Sequence, residues 1–454
     1  MSNVTFRRKA YGRLLEWKNE LASKYALLIE GARRVGKTHL IKTFIESEYE
    51  SYIYIDFSQS IKTTMASKRA FMQENDVCGV LERLEIVHGV KLVPGKSCIV
   101  FDEVQRFPQA REMIKAFMEH GRYHYIESGS LVGIKEIVKN ILIPSEEHSM
   151  KLHPLDFEEF LGALGEVPLR DKLRSAFAEG RSLGADVHEK ALKLFRLYMV
   201  VGGMPQSVLA YLAGGDRRLD ESEKAKRSIL SLYDKDIGKY ARGYASKVRA
   251  IFRNIPSALN TREKKFRLAD LDTNARMRRY ENAFLWLADA MVANIAYNST
   301  NPDVGLGMNI ESSLFKCYSL DTGLLLTQAM SGSSEIDGKL IRGVLYDNLG
   351  VNEGMFFENA VAQALVANGH DLLFYSRKDA QNLERTMEID FLIRKGIKIV
   401  PLEVKSAKCR DHVSLDRLIK AYAAKLGQRY VICTKDRFEE NGIVYLPVYY
   451  SQYL

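Results

Sequence analysis

Glu30-Gly31-Ala32-Arg33-Arg34-Val35-Gly36-Lys37-Thr38 is a glycine-framed loop of the form G-x-x-x-x-G-K-T. Gly31 and Gly36 let backbone N–H groups turn inward around phosphate oxygens. Lys37 is then placed to reach the β- and γ-phosphates, and the Thr38 hydroxyl to sit on magnesium. Before the loop, Tyr25-Ala26-Leu27-Leu28-Ile29 is an apolar run of the length of a buried parallel strand. After it, beyond His39, Leu40, Ile41, Phe44 and Ile45 fall at helical spacing. Strand, loop and helix in that order predict a phosphate cradle built from Gly31, Ala32, Arg33, Arg34, Val35, Gly36, Lys37, Thr38 and His39. The expected ligand is ATP with Mg²⁺.

At 454 residues the chain exceeds a single compact core, and two to four domains are expected. A hydrophobic content of 46% with 27% charged residues excludes a disordered or fibrous chain. The net charge of +9 favours an anionic partner, nucleic acid being one class. Cys78, Cys98, Cys317, Cys409 and Cys433 form no C-x-x-C pair, which suits a reducing compartment and argues against a disulfide framework. The charged N-terminus is unlike a signal peptide, and no apolar run approaches the roughly 18 residues of a membrane span. A cytoplasmic protein with no membrane partner is expected.

Residues 1–165 alternate apolar runs with helical patterns, predicting an α/β unit with a parallel sheet and strands at 25–30, 52–57, 97–102 and 122–127. Residues 166–245 read as helical, broken at Val201-Gly202-Gly203-Met204-Pro205 and Gly214-Gly215. Residues 246–330 carry basic helices and a strand at Met291–Ile295, 331–350 read as a linker, and 351–454 return to mixed strand and helix.

Cys98-Ile99-Val100-Phe101-Asp102-Glu103 is an apolar strand ending in two carboxylates. Asp102 is expected to bind the metal through water, and Glu103 to polarise the water that attacks the γ-phosphate. Tyr123-His124-Tyr125-Ile126-Glu127-Ser128-Gly129-Ser130 is a further strand ending in small polar residues. Ser128, or second Ser130, is a polar sensor candidate, and a helix cap at Ser130 is the alternative.

These stretches, with His153-Pro154-Leu155-Asp156-Phe157-Glu158-Glu159-Phe160, Gly202-Gly203-Met204-Pro205 and Asp321-Thr322-Gly323-Leu324, resemble the prokaryotic AAA-type ATPases that carry a C-terminal domain of unknown function. The resemblance spans nearly the whole chain. It implies an AAA+ P-loop core (1–165), a helical lid-like region (166–245), a winged-helix-like region (246–330) and, after the linker, a restriction-endonuclease-like α/β domain (351–454). It also implies a homo-oligomer, since such sites are often completed by a neighbouring subunit. One departure stands out: the family often has Gly-Arg shortly before His-Pro-Leu, a candidate transition-state arginine, whereas Leu131 to Leu169 contains no arginine. An absent arginine finger lowers turnover by about 10³–10⁵. Slow hydrolysis, or an arginine from elsewhere such as Arg106, Arg111 or Arg122, is the expectation.

Arg262, Lys264, Lys265, Arg267, Arg276, Arg278 and Arg279 make residues 261–280 basic. They suit either a helix-turn-helix reading DNA or a solvated face on a packing domain. Further on, Glu388-Ile389-Asp390-Phe391-Leu392-Ile393 and Pro401-Leu402-Glu403-Val404-Lys405 are apolar strands carrying carboxylates that a hairpin would bring together. Glu403 and Lys405 point to the same side of a strand, roughly 6–7 Å apart. Glu358 falls on an amphipathic helix. Glu358, Asp390, Glu403 and Lys405 resemble the PD-(D/E)XK nuclease core, with Asp390 and Glu403 as ligands of a second Mg²⁺ or Mn²⁺ and Lys405 activating water. A structural ion-pair network is the alternative. Two functions are therefore open: an ATP-regulated enzyme cutting nucleic acid, or a nucleotide-dependent switch whose C-terminal domain only binds DNA or a protein.

Overall fold

The strand that feeds the phosphate loop lies inside a wholly parallel sheet of a computed structural model, which describes residues 6, 8–74, 76–129, 145–272, 276–303, 305–330, 353–378, 386–406 and 408–454. Ser130 and the linker expected at 331–350 lie outside the described residues. The chain divides into two units, Arg7–His153 with Asp289–Met291, and Met1–Phe6, Pro154–Ala288 and Val292–Leu454.

In the first unit run α1 (Lys9–Glu20), β1 (Ala26–Glu30), α2 (Lys37–Glu48), β2 (Ser51–Asp56), α3 (Lys62–Gln73), α4 (Val77–His88), β3 (Ser97–Asp102), α5 (Pro108–Glu112), α6 (Ile114–His120), β4 (His124–Gly129) and β5 (Glu147–Lys151). The strand order is β2-β3-β4-β1-β5, all parallel. β1 and β3 are buried at every position, as strands covered on both faces must be. Successive side chains feed opposite faces. Leu27, Ile29, Val100 and Ile126 pack with Trp17, Leu40 and Phe44, while Leu28, Ile99, Phe101 and Tyr125 pack with Phe71, Leu84 and Phe117.

The four expected strands form within two residues of their predicted starts. β5 was not expected. Glu147-His148-Ser149-Met150-Lys151 buries only Met150 fully, so an edge strand of this polarity carries no apolar signal.

The second unit begins with α7 (Phe157–Ala163), α8 (Val167–Ala178), α9 (Ala185–Val201), α10 (Pro205–Ala213), α11 (Arg218–Tyr240) and α12 (Ala245–Asn260). α13 (Met277–Asp289), β6 (Ala293–Ser299), β7 (Ile310–Ser319), α14 (Thr322–Ala329), α15 (Glu353–Ala367) and β8 (Leu373–Lys378) follow. Last come β9 (Thr386–Ile389), β10 (Phe391–Lys395), β11 (Lys398–Val404), α16 (Val413–Tyr422), β12 (Tyr430–Cys433), β13 (Phe438–Glu440) and β14 (Ile443–Pro447). In the stretch expected to be winged-helix-like, β6 and β7 form an antiparallel pair. β6 also pairs β8 in parallel, so the hairpin is built into a four-stranded sheet, β7-β6-β8-β9. The other sheet is mixed, β10-β11-β12-β14-β13.

Three motifs far apart in sequence meet inside this unit. Gly203 N donates to Asp321 Oδ2 at 2.6 Å, and Leu155 N donates to Gly203 O at 2.7 Å. Asp321 Oδ1 caps α14 by accepting from Leu324 N at 3.0 Å. Gln363 ties in α15, accepting from Thr322 N at 3.0 Å and donating to Tyr198, which itself donates to Leu155 O at 2.8 Å. Gly202-Gly203, Asp321-Thr322-Gly323 and Leu155 are thus a buried joint.

Candidate functional site

Between β1 and α2 the chain turns through Arg34 at φ 69° and Gly36 at φ 100°. The left-handed turn at Gly36 suits a residue without Cβ, and α2 starts at Lys37 immediately after it. The first turn of a helix leaves unpaired N–H groups, so the loop and the α2 N-terminus form a site for anions. Lys37 is buried, its Nζ donating to Gly31 O at 2.7 Å and Ala32 O at 3.2 Å. Burial draws Lys37 below its ordinary pKa, while the Glu103 and Asp102 carboxylates oppose that. Arg33, Arg34, Thr38 and His39 are exposed, whereas Gly31, Ala32 and Val35 are buried.

Asp102 is the hub. Thr38 Oγ1 donates to its Oδ2 at 2.8 Å, Ser128 Oγ donates to Oδ1, and Glu103 N donates to Oδ1 at 3.0 Å. Strand order explains the meeting: β4 lies between β1 and β3, pairing Ser128 with Ile29 and Glu127 with Phe101. Tyr54 on β2 was not anticipated, yet its hydroxyl donates to Asp102 Oδ2 as well. Burial, then the Asp102 carboxylate, hold Tyr54 protonated and so a donor. Alternation on β2 was the available signal, since Tyr54 is half-buried between the core residues Ile53 and Ile55.

Glu103 follows at φ 54°, a left-handed conformation costly for a residue with a Cβ. Such strain persists where the surroundings over-determine it, as at active sites. Burial raises the Glu103 pKa, Lys37 opposes and Asp102 adds to the rise, the direction wanted in a proton acceptor working near neutrality. Gln105 Nε2 holds Glu103 Oε2 at 2.7 Å. A hydroxyl and a carboxylate oxygen side by side, Thr38 and Asp102, are hard oxygen donors and fit a magnesium ion.

Among the arginines, Arg111 drops out as a finger. It is 3% exposed, 3.3 Å from Glu127 and 2.8 Å from Glu147, so its charge serves an internal ion triad. Arg106 and Arg122 are exposed.

In the C-terminal part, the four expected residues do come to one region. Asp390, between β9 and β10, accepts from Val404 N at 2.8 Å, which places it beside the Glu403 strand. Glu403 Oε1 pairs with Lys405 Nζ at 2.8 Å. Burial, reinforced by Asp390, pushes Glu403 up to about 8, and its Oε2 is buried without a hydrogen-bond partner. Glu358 on α15 pairs instead with lysines that sequence reasoning did not place there, Lys264 and Lys316. Burial alone would raise Glu358; Lys264 and Lys316 outweigh it and hold the group at about 2. Lys264 and Lys265 therefore turn inward from the basic run, Lys265 lying 3.0 Å from Glu388. The lone Lys316 inside the apolar run Leu314-Phe315-Lys316-Cys317-Tyr318 was the visible sign. Among the described residues, no group of three or more His, Cys, Asp or Glu is arranged to hold a metal ion. Glu358, Glu388 and Asp390 are met by ammonium groups, whereas Glu403 keeps one oxygen without a partner.

A parallel α/β sheet, a glycine-framed loop at the carboxyl end of β1 and Asp102-Glu103 at the end of β3 define a P-loop nucleotide-binding domain. Residues 23–161 match the family model described as AAA domain. Residues 192–335 and 353–450 match two models described as Domain of unknown function (DUF8612) and Domain of unknown function (DUF4143). The chain is similar to the Walker-type ATPase paby2304 of Pyrococcus abyssi, at 17% identity over 71% of this chain and 96% of that one, with a TM-score of 0.45. It is also similar to the Aeropyrum pernix Orc1 protein in complex with DNA, at 12% identity over 73% and 94%, TM-score 0.31. AMPPCP-bound DnaA from Aquifex aeolicus shares 11% identity over 63% and 88%, TM-score 0.28. No curated protein matches. Among the described residues, no helix is long and apolar enough to cross a membrane.

Proposed function

We propose that this chain is a magnesium-dependent ATPase of AAA type that works as a nucleotide-dependent switch. The observation that carries the reading is the convergence of Thr38 and Ser128 on Asp102, with Glu103 next in the chain and interacting with Lys37. Lys37 and the α2 N-terminus bind the phosphates. Thr38 and Asp102 hold magnesium, which offsets phosphate charge when bound. Glu103 accepts the proton of the attacking water, and Ser128, bonded to Asp102, orients the γ-phosphate side of the site. An exposed Arg106 or Arg122 completes a neighbouring copy's site in a homo-oligomer, or hydrolysis runs slowly without one.

Glu103→Gln tests it. The variant should bind ATP at wild-type strength and hydrolyse it at least tenfold more slowly, about 1.4 kcal/mol of barrier. Phosphate release at an unchanged rate would place the base elsewhere. Tyr54→Phe tests the hub: one hydrogen bond to a charged oxygen contributes about 1.5–3 kcal/mol. ATP hydrolysis titrated against free Mg²⁺ should show the half-saturating concentration moved by roughly tenfold or more. Superimposable curves would make Tyr54 idle.

In this reading the C-terminal unit binds nucleic acid or a protein partner and does not cut. The net charge of +9 supports an anionic partner, and the lysine pairing of Glu358, Glu388 and Asp390 weighs against phosphodiester cleavage there. The nuclease reading rests on the chain order of Glu358, Asp390, Glu403 and Lys405 and on the Val404 N bond to Asp390.

A further inference from the structure

β7 delivers one lysine into the middle of three carboxylates. Lys316 is fully buried, and its Nζ lies 3.1 Å from Glu358 Oε1, 2.9 Å from Glu388 Oε1 and 3.5 Å from Asp390 Oδ1. The remaining oxygens are also met. Lys264 Nζ pairs with Glu358 Oε2, Lys265 Nζ lies 3.0 Å from Glu388 Oε2, and Val404 N donates to Asp390 Oδ2 at 2.8 Å. Tyr318 OH donates a further bond to Glu358 Oε1 at 2.6 Å. All six carboxylate oxygens have a donor, and three ammonium groups balance three carboxylates.

We propose that Lys316 is a built-in cation, occupying the position among Glu358, Glu388 and Asp390 that a divalent metal would take and closing the cluster to metal. Buried charges persist only when paired, and here the pairing is complete without any ion from solution. A divalent ion entering would have to expel an ammonium group from a buried site or sit against it. An ammonium neutralises carboxylates as a metal does, but it has no open coordination position from which to lower the pKa of a bound water. The inference goes beyond the ATPase reading and does not depend on it.

The test is Mn²⁺ binding by the full chain without nucleotide, followed by calorimetry and by melting temperature. The proteins are wild type, Asp390→Asn, Lys316→Ala, and Lys316→Ala with Asp390→Asn. Wild type and Asp390→Asn should titrate alike. Lys316→Ala should gain a site at least tenfold tighter than anything in wild type, with a melting temperature that rises in Mn²⁺, and the added Asp390→Asn should remove both. A Mn²⁺ bound by wild type and lost in Asp390→Asn overturns the proposal. So does a folded Lys316→Ala protein that takes up no more metal than wild type. Lys316→Gln, which keeps length and polarity, is the second variant if alanine prevents folding. If neither folds, the wild-type and Asp390→Asn titrations decide, since a metal lost on substitution overturns the proposal and identical curves support it.

Discussion

Lys37→Ala should lose ATP binding, with affinity falling at least 100-fold, about 2.8 kcal/mol. The side chain is buried against its own loop, donating to the Gly31 and Ala32 carbonyls, so its ammonium is held over the cradle rather than searching for it. Preorganisation of this kind means that little side-chain entropy is lost when phosphate arrives. Alanine removes the charge and takes the ammonium donor from the Gly31 carbonyl, while Ala32 O keeps Val35 N at 3.4 Å. The sheet core on either side is untouched, because Lys37 belongs to neither apolar cluster. A fluorescent-nucleotide titration, with circular dichroism to show retained fold, measures the effect. Wild-type affinity in the variant would take the loop out of nucleotide binding.

Gly203→Ala should destabilise the second unit by about 3 kcal/mol or more. A Cβ there would run into the Leu155 carbonyl oxygen and lie 3.0 Å from Leu155 N. These are backbone atoms fixed by the Leu155 N to Gly203 O bond, so they cannot yield as a flexible side chain would. Moving Gly203 away also stretches its N–H bond to Asp321, which would leave a buried carboxylate oxygen short of a donor. A fall in melting temperature of about 6 °C or more is expected. Gly307→Ala is the control: a Cβ there meets nothing within 4 Å, and its melting curve should overlay wild type. A Gly203→Ala protein as stable as wild type would show that the joint can open without cost.

What sequence could reveal here follows from how local each signal is. The loop, β1 and β3 were readable because a fully buried parallel strand is a continuous apolar run, whose end marks where the glycine loop and Glu103 begin. Ser128 was readable for the same reason, although it lies within β4 and not past its end. Tyr54 showed only as a half-buried position on an alternating strand, because its bond to Asp102 exists only once β2 is laid beside β3. Arg111 was misjudged as available, since its burial depends on Glu147 from a strand with no apolar signature. At the C-terminal end, their order sets Asp390 just before β10, Glu403 on the adjoining β11 and Lys405 just after it. The lysines that neutralise the cluster lie 42 and 94 residues upstream of Glu358, and no spacing rule links Lys264 or Lys316 to Asp390. A run of basic residues reads as surface until the fold shows which of them turn inward.

The joint around Gly203 and Asp321 also limits how this chain can be divided. Leu155 comes from the start of the second unit, Gly203 and Tyr198 from its helical part, Asp321 from the cap of α14, and Gln363 from α15. One buried hydrogen-bond set therefore ties the two stretches matched as separate domains of unknown function, 192–335 and 353–450. Neither satisfies its own polar groups without the other. Separating the two stretches would leave Thr322 N without Gln363 Oε1 and the Tyr198 hydroxyl without Gln363 Nε2, both in buried surroundings.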